Sequence, residues 1–255
     1  MPEFSLEKTA HIAALRQQVY KVVRDFRGWP AWSPWLICEP GCKLSFDDDG
    51  NAYAWDGEII GSGRMQIVAE EAPNSINYQL NFFKPWKSES SVRFHFADAS
   101  GGTEVTWAMR GSLPFFLFWM RPMMIAFLGS DFERGLAMLK DGIETGEVPC
   151  DLAFPGVAPF EGFHYLGVKT RCAMKEIGPA MGRAMDKLES SLSRDGITTT
   201  GQAFSIYHKW ALVRGYADFT IGLPVAAAPA SVPGDLVAGE IPDCSTYRVE
   251  HKGPY

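Results

Sequence analysis

Apolar and polar residues alternate along much of the first half of the chain, a pattern typical of β-strands with one buried face. Val92, Phe94 and Phe96 are apolar, for example, whereas Arg93 and His95 between them are polar. Turn-forming residues separate such segments. The pattern predicts strands over residues 4–14, 43–46, 52–60, 63–69, 76–83, 90–97 and 103–111. We therefore expect an antiparallel meander whose aromatic face turns inward.

A long helix is predicted at the end of this half. Apolar residues recur there at every third or fourth position, at Phe132, Leu136, Leu139 and Ile143. Ser130 and Glu133 have the spacing of a capping box, so we expect the helix to begin near Ser130. The apolar run before it contains Pro122 and is shorter than the about 20 residues that a bilayer span needs. We expect a lid or pocket wall there, and no membrane span.

Three tryptophans lie three positions apart among prolines, at Trp29, Trp32 and Trp35. This spacing suits a turn that packs its rings beneath a sheet, where each indole buries a large apolar area. We expect these residues to fill a corner of the core.

The second half begins with a segment rich in proline and glycine, residues 148–159, which predicts an irregular linker. The pattern then predicts a strand over 163–172, a helix, and strands over 202–210 and 216–225. The apolar face of that helix consists of Met181, Met185, Leu188 and Leu192. We expect a strand-helix-strand-strand unit, with domains at residues 1–147 and 160–255.

The composition is that of a globular protein with a sizeable core, since 46% of the 255 residues are hydrophobic and 21% are charged. A net charge of −6 argues against nucleic-acid binding, which needs a basic face. The first ten residues carry an acidic residue where a signal peptide is basic, and no apolar core follows them. We therefore expect a cytoplasmic protein.

Cysteines and histidines give no sign of a metal or cofactor. The five cysteines are Cys38, Cys42, Cys150, Cys172 and Cys244. They form no C-x-x-C pair, so neither a disulfide framework nor a zinc site is indicated. His164, His208 and His251 fall on separate predicted strands, without the spacing of a metal site.

The order of elements in the first half, with the segments DFRGWPAWSPWL, GSGRM and FERGLAMLKDGIE, resembles the START-like (SRPBCC) superfamily of polyketide cyclases, dehydrases and lipid-transport proteins. The resemblance covers roughly residues 3–147. It implies an α+β helix-grip fold, in which a curved antiparallel sheet wraps around the long C-terminal helix. A hydrophobic cavity between them would hold a lipid, aromatic or polyketide-like ligand. The resemblance does not imply an enzyme, because many members only bind.

Strand alternation selects the residues that would line this cavity. They are Trp55, Met65, Tyr78, Phe94, Trp107 and Met109. Each of them suits a plain core position equally well. The residues with acid–base or cationic chemistry are Asp56, Glu58, Arg64 and His95. These lie on the polar faces of their strands, whereas catalysis needs an acid or base within reach of the ligand. We expect no turnover from the first domain alone.

In the second half, the segments GFHYLGVKT, GQAFSIYHKW, YADFTIGLPV and YRVEHKGPY resemble the GyrI-like effector-binding domain of multidrug-sensing transcription activators, over about residues 160–255. The resemblance implies paired strand-helix-strand-strand repeats with a pocket for flat or cationic aromatic compounds. Aromatic rings suit such ligands, and we expect Tyr165, Tyr207, Trp210 and Tyr255 to line it.

Some members of that family resemble hydrolases that open strained rings with an acidic residue and an aromatic hydroxyl. The acidic residue lies in the last strands of the family pattern, which this sequence does not reach, so no catalytic glutamate is assigned. We expect the natural chain to continue for roughly another fifty residues as a second repeat. A homodimer or the apolar run of the first domain is the alternative cover for the exposed sheet.

The sequence thus predicts a protein that binds hydrophobic or aromatic small molecules in two pockets, for sequestration, sensing or transfer. The alternative is a hydrolase or cyclase acting on a toxic or polyketide-like natural product. A third alternative is a peripheral membrane lipid carrier, based on the apolar run at residues 115–127.

Overall fold

The computed structural model describes residues 3–113, 115–228 and 231–253, without the side chain of Phe116. These residues divide into two compact units. The first comprises the residues up to Ala153 together with those from Glu250 onward, and the second is Phe154–Val249.

The first unit is built on a seven-stranded antiparallel sheet. Its strands are β1 (Glu3–Ile12), β2 (Lys43–Phe46), β3 (Ala52–Asp56), β4 (Ser62–Glu71), β5 (Ser75–Lys84), β6 (Ser88–Ala99) and β7 (Gly102–Ser112). Their order in the sheet is β1-β7-β6-β5-β4-β3-β2. The predicted meander is confirmed, and the first strand closes it by pairing with the last along its whole length.

Three helices accompany this sheet: α1 (Arg16–Arg24), α2 (Pro34–Cys38) and α3 (Arg121–Thr145). The prediction that the long helix begins near Ser130 is wrong, because α3 begins nine residues earlier. Pro122 lies in its first turn, where a missing N–H has no cost. The helix ends at Gly146, whose φ of 81° suits the left-handed C-cap. Among the described residues, no helix is both long and apolar enough to cross a membrane.

The core of the first unit lies between the inner face of the sheet and the helices. Val92, Phe94 and Phe96 of β6 are buried, while Arg93 and His95 are exposed, as the alternation predicts. The first two of the three spaced tryptophans are also buried, in the 3₁₀ turn Phe26–Ala31 and just after it, and the third, on α2, is partly buried.

The second unit contains β9 (Phe163–Ala173), α4 (Ile177–Arg194), β10 (Phe204–Ala211), β11 (Tyr216–Val225) and β12 (Val237–Ile241). Its sheet has the order β10-β11-β9-β12. Helix α4 packs on one face of this sheet through Leu188 and Leu192, against Leu166 and Phe219. The predicted strand-helix-strand-strand order is observed.

Two further strands, β8 (Asp151–Phe160) and β13 (Cys244–Lys252), form a separate two-stranded sheet. The expected irregular linker at 148–159 is therefore largely a strand. Pro155 and Pro159 are tolerated in it because each strand of a two-stranded sheet has one edge without ladder hydrogen bonds.

Candidate functional site

A cavity of about 280 Å³ lies inside the first unit, between the sheet, α2 and α3. Its wall is mainly aromatic, aliphatic and methionine side chains. The sheet contributes Tyr53, Trp55, Met65, Leu80, Phe82 and Met109. The helices contribute Trp35, Leu36, Met124 and Leu128. The cavity thus lies between the inner face of the sheet and the helices α2 and α3.

Gly63 on β4 explains how the ring of Trp55 reaches the cavity wall. The two residues pair across β3 and β4, and a Cβ atom at position 63 would lie 2.5 Å from the indole. Glycine therefore leaves the space in which this ring lies across the neighbouring strand. Trp55 then meets Phe82 edge to face, with centroids 5.6 Å apart.

The cavity wall carries several side-chain hydroxyl groups. Four serines contribute them: Ser33, Ser88, Ser90 and Ser112. The described wall contains no Asp, Glu, His, Lys or Arg. Burial raises the pKa of the Tyr53 phenol above its ordinary value, so this group is uncharged at neutral pH. The wall is therefore electrically neutral, with hydrogen-bonding groups at a few points.

Trp35 is held in the wall by a partly buried hydrogen bond. Its Nε1 atom donates to Oδ2 of Asp131 on α3 at 3.2 Å, and its ring meets that of Trp107 edge to face at 5.7 Å. Burial raises the pKa of Asp131, while the indole donor and Arg134 oppose this shift. The bond fixes α2 to α3 beside the cavity.

Glu39, directly after α2, orders the loop at another side of the cavity. Its carboxylate accepts hydrogen bonds from the backbone N–H groups of Glu58, Ile59 and Ile60, at 2.7, 3.0 and 3.0 Å. These amides lower the pKa of Glu39. Ile60 belongs to the cavity wall. Sequence reasoning missed Glu39, because it lies 19 to 21 residues from its partners.

Three of the six predicted cavity residues, Trp55, Met65 and Met109, lie in the wall. The other three, Tyr78, Phe94 and Trp107, are buried in the core and do not line the cavity. Other aromatic rings cover them.

Trp107 stacks on Phe94 at 4.7 Å and on Phe132 at 4.1 Å, so no face of its indole is left for a ligand. Tyr78 packs on Trp29, and its hydroxyl donates to the carbonyl oxygen of Val23 at 3.2 Å.

The four residues weighed for chemistry lie outside the cavity. Asp56 forms an ion pair with Lys84 at 3.2 Å. Arg64 donates to the carboxylate of Asp47 at 3.1 Å. Glu58 and His95 are exposed.

The predicted aromatic residues of the second unit lie on two different faces of its sheet. Tyr207 contacts Met181 of α4 and the ring of Phe219, so it lies on the helix-covered face, and Trp210 packs on it at 5.1 Å. Tyr165 precedes Leu166, which is buried against α4. Because successive strand residues point to opposite faces, Tyr165 lies on the face away from α4. These three residues therefore do not line one pocket, and Tyr255 lies outside the described residues.

The face that carries Tyr165 also carries Phe204, and the two rings meet edge to face at 5.3 Å. A Cβ atom at Gly222 would lie 2.6 Å from the Phe204 ring, and one at Gly239 would overlap the Tyr165 ring. Glycines on the neighbouring strands thus leave room for both rings on this face.

Further along this face, polar groups collect around Tyr216. The guanidinium of Arg171 lies over its ring at 3.9 Å. A hydrogen bond with Lys209 is the main cause that lowers the pKa of its hydroxyl. Asp218 follows two residues later on the same face, and its Oδ1 atom is buried without a hydrogen-bond partner among the described residues.

Histidines do not gather into a metal site in the described part of the chain, where no three His, Cys, Asp or Glu residues are placed to hold an ion. His208, for instance, lies 2.7 Å from Oγ1 of Thr220.

Several solved structures are similar to part of the chain. CV1439 from Chromobacterium violaceum is 19% identical, covers 55% of this chain and 97% of its own, and has a TM-score of 0.42. DR_A0006 from Deinococcus radiodurans is 19% identical, with coverages of 56% and 99% and a TM-score of 0.39. The Aha1 dimer from Colwellia psychrerythraea is 15% identical, with coverages of 56% and 98% and a TM-score of 0.41. No curated protein sequence matches the chain.

A sequence family model matches residues 3–144, which include all seven strands of the large sheet and nearly all of α3. By this match, the chain belongs to the polyketide cyclase/dehydrase and lipid transport family.

Proposed function

We propose that the first unit binds one small hydrophobic or aromatic molecule in the cavity between the sheet and α3. The observation that carries this proposal is the neutral, aromatic-rich cavity wall with a few serine hydroxyls. Sites for small molecules are typically apolar pockets with a small number of placed polar groups. Membership of the polyketide cyclase/dehydrase and lipid transport family supports a hydrophobic ligand.

The size of the cavity narrows the class of ligand. Its volume of about 280 Å³ is near the lower end of the range of roughly 300–1,000 Å³ for ligand pockets. A compact ring system or a single short chain suits this volume, whereas a phospholipid with two long acyl chains exceeds it. Met65, Met109 and Met124 give the wall adaptable surfaces, because unbranched thioethers fill irregular gaps.

The role of this site is to hold a molecule rather than convert it. A cyclase or hydrolase moves protons with an acid or base within hydrogen-bond reach of the ligand. The described cavity wall offers serine hydroxyls and the protonated Tyr53 instead. Sequestration or transfer of a ligand follows from this chemistry.

Filling the cavity tests this proposal. Met65→Trp adds a large ring inside the cavity and should abolish saturable binding of a fluorescent probe for apolar sites such as 1-anilinonaphthalene-8-sulfonate. The matched control is Gln66→Trp, because Gln66 is the next residue on β4 and is exposed on the other face. Equal binding by the wild type and a folded Met65→Trp variant would contradict the proposal.

We infer that residues 160–255 form a GyrI-like domain that takes a flat aromatic ligand on the sheet face opposite α4. The strand-helix-strand-strand order supports this inference. So do the rings of Tyr165 and Phe204, which meet edge to face over glycines of neighbouring strands. The proposed division is a ligand-binding domain at 1–147 and this second domain, joined by residues 148–159.

Two tyrosines on opposite faces provide the test. Tyr165→Ala should weaken binding of a planar cationic dye such as ethidium by about fivefold, because each lost aromatic contact contributes on the order of 1 kcal/mol. Tyr207→Ala, on the face that packs against α4, should leave dye binding unchanged. The reverse order of effects would place the ligand on the helix side and reject the inference.

A hydrolase activity of the second unit is the second candidate, favoured by Asp218 and Tyr216. A carboxylate with a buried, unpaired oxygen two residues from a hydroxyl whose pKa is lowered by Lys209 is a combination used in acid–base catalysis. Asp218→Asn and Tyr216→Phe should each abolish hydrolysis of strained-ring or ester substrates. Activity that survives both changes would exclude this pair.

A further inference from the structure

A second chemical feature of the first unit lies around Cys150. Two basic side chains from elements far apart in sequence reach its sulfur atom. Nη2 of Arg134 on α3 donates to Sγ at 3.2 Å, and Nε2 of His251 on β13 lies 3.8 Å from Sγ. A guanidinium stabilises a thiolate electrostatically, and an imidazole accepts the thiol proton.

A pocket gives small molecules access to this thiol. It has a volume of about 260 Å³ and is separate from the larger cavity. Cys150 lines it together with Leu36, Ile37, Leu44 and Leu152. Its acidic members are Glu39 and Asp151. The carboxylate of Glu39 is already engaged by three backbone N–H groups.

Cys42 lines the same pocket and provides an internal comparison. Burial raises the pKa of its thiol, and the nearby carboxylate of Glu39 adds to the shift. Its Sγ atom contacts a backbone carbonyl, that of Lys43. Cys42 therefore shares the apolar pocket of Cys150 without the arginine and histidine contacts.

We propose that Cys150 is a reactive thiol that forms covalent adducts with soft electrophiles of the α,β-unsaturated carbonyl class. In this step the thiol proton passes to His251, and the thiolate attacks the β-carbon. A C–S bond forms, the electron pair of the alkene moves to the carbonyl as an enolate, and the imidazolium returns the proton to the α-carbon. Thiol and alkene thus become a thioether with no other reactant.

The test uses N-ethylmaleimide on the full-length native protein at pH 7, with each cysteine peptide quantified by mass spectrometry. Cys150 should be alkylated at least about tenfold faster than Cys42, since the thiolate is the reacting form. It should also react faster than Cys244, which is exposed. In guanidinium chloride the three rates should converge.

Variants separate the two basic groups. Arg134→Gln and His251→Gln should each slow alkylation of Cys150 severalfold and leave that of Cys244 unchanged, whereas Arg134→Lys should retain most of the rate because it keeps the positive charge. Circular dichroism identifies any variant that does not fold. In that case the proposal is judged by the alkylation rate of Cys150 relative to Cys42 and Cys244 in the native wild-type protein. Native Cys150 reacting no faster than Cys244, or folded glutamine variants reacting at the wild-type rate, would overturn the proposal.

Discussion

The indole of Trp107 on β7 and the phenyl ring of Phe132 on α3 lie stacked, with centroids 4.1 Å apart and planes inclined by 16°. Both residues are almost completely buried. Gly135, one turn further along α3, leaves room for the indole, because a Cβ atom there would lie 2.8 Å from it. This contact fixes the long helix against the sheet, and the cavity depends on that arrangement.

Gly135→Ala should therefore destabilise the protein, although the same change in an ordinary helix stabilises it by about 1 kcal/mol. The added methyl group would meet both Trp107 and the ring of Pro34. Gly182→Ala on α4 is the matched control, since no atom lies within 4 Å of its Cβ position. Thermal unfolding measures both variants. A rise in the midpoint for Gly135→Ala would show that α3 has room to move.

Removing the stacked indole of Trp107 should strongly reduce the free energy of unfolding. Trp107→Ala should reduce the free energy of unfolding by about 3–5 kcal/mol, as large aromatic truncations in cores do. Trp107→Phe should cost much less, because the Nε1 atom of Trp107 has no partner among the described residues.

Trp29→Phe makes the same change in size but also removes the hydrogen bond from Nε1 to the carbonyl oxygen of Val23 at 2.9 Å. It should be less stable than Trp107→Phe by about 1 kcal/mol in urea unfolding. Equal losses for the two phenylalanine variants would mean that the indole of Trp107 has a partner in solution.

The contribution of Glu39 to stability should depend on pH. Three amide donors lower its pKa in the folded state, below the ordinary glutamate value of about 4.3. Its contribution is therefore fully present above that value and is lost as the pH falls through the lowered pKa. Glu39→Gln should be less stable than the wild type at pH 7, and the two should converge in acid.

Glu58→Gln is the control for this measurement, because Glu58 lies in the same loop with an exposed side chain. Its stability should follow that of the wild type at every pH. A constant gap between Glu39→Gln and the wild type down to about pH 2 would show that the carboxylate charge is not what orders the loop.

The acids and the histidine outside the cavity should have no chemical role. Glu58→Gln and His95→Ala should leave the fate of any bound ligand unchanged, because both side chains are exposed and neither lines the cavity. Chromatography of the ligand before and after incubation provides the measurement. Conversion that depends on either residue would make the first unit an enzyme.

Local alternation was sufficient to predict the strands and the inward face of the large sheet, since a strand has two faces and burial selects one. It was not sufficient to predict whether an inward side chain lines the cavity or is covered by other core residues. Phe94 and Trp107 have the correct parity, but rings from α3 and from the 3₁₀ turn cover them, and those contacts join residues far apart in sequence. Trp55, Met65 and Met109 have the same parity, but they face the cavity, whereas Phe94 and Trp107 face other aromatic rings.

Strict alternation would place Tyr207 and Trp210 on opposite faces of β10, but this strand is irregular. A register shift between Tyr207 and Lys209 brings Trp210 back to the side of Tyr207, as a β-bulge does. No local pattern in the sequence announced this bulge. The same limit applies to Arg134 and His251, which meet at Cys150 from 16 and 101 residues away.

Native mass spectrometry of the full-length protein shows whether the first unit holds one small hydrophobic molecule. Protein purified from cells, or incubated with extract lipids and aromatics, should carry one added mass that denaturation releases. The Met65→Trp variant should lack this mass, and Gln66→Trp should retain it. Absence of an added mass on the wild-type protein under all of these conditions would show that the cavity does not hold such a molecule. Persistence of the added mass on folded Met65→Trp would show that the molecule binds elsewhere.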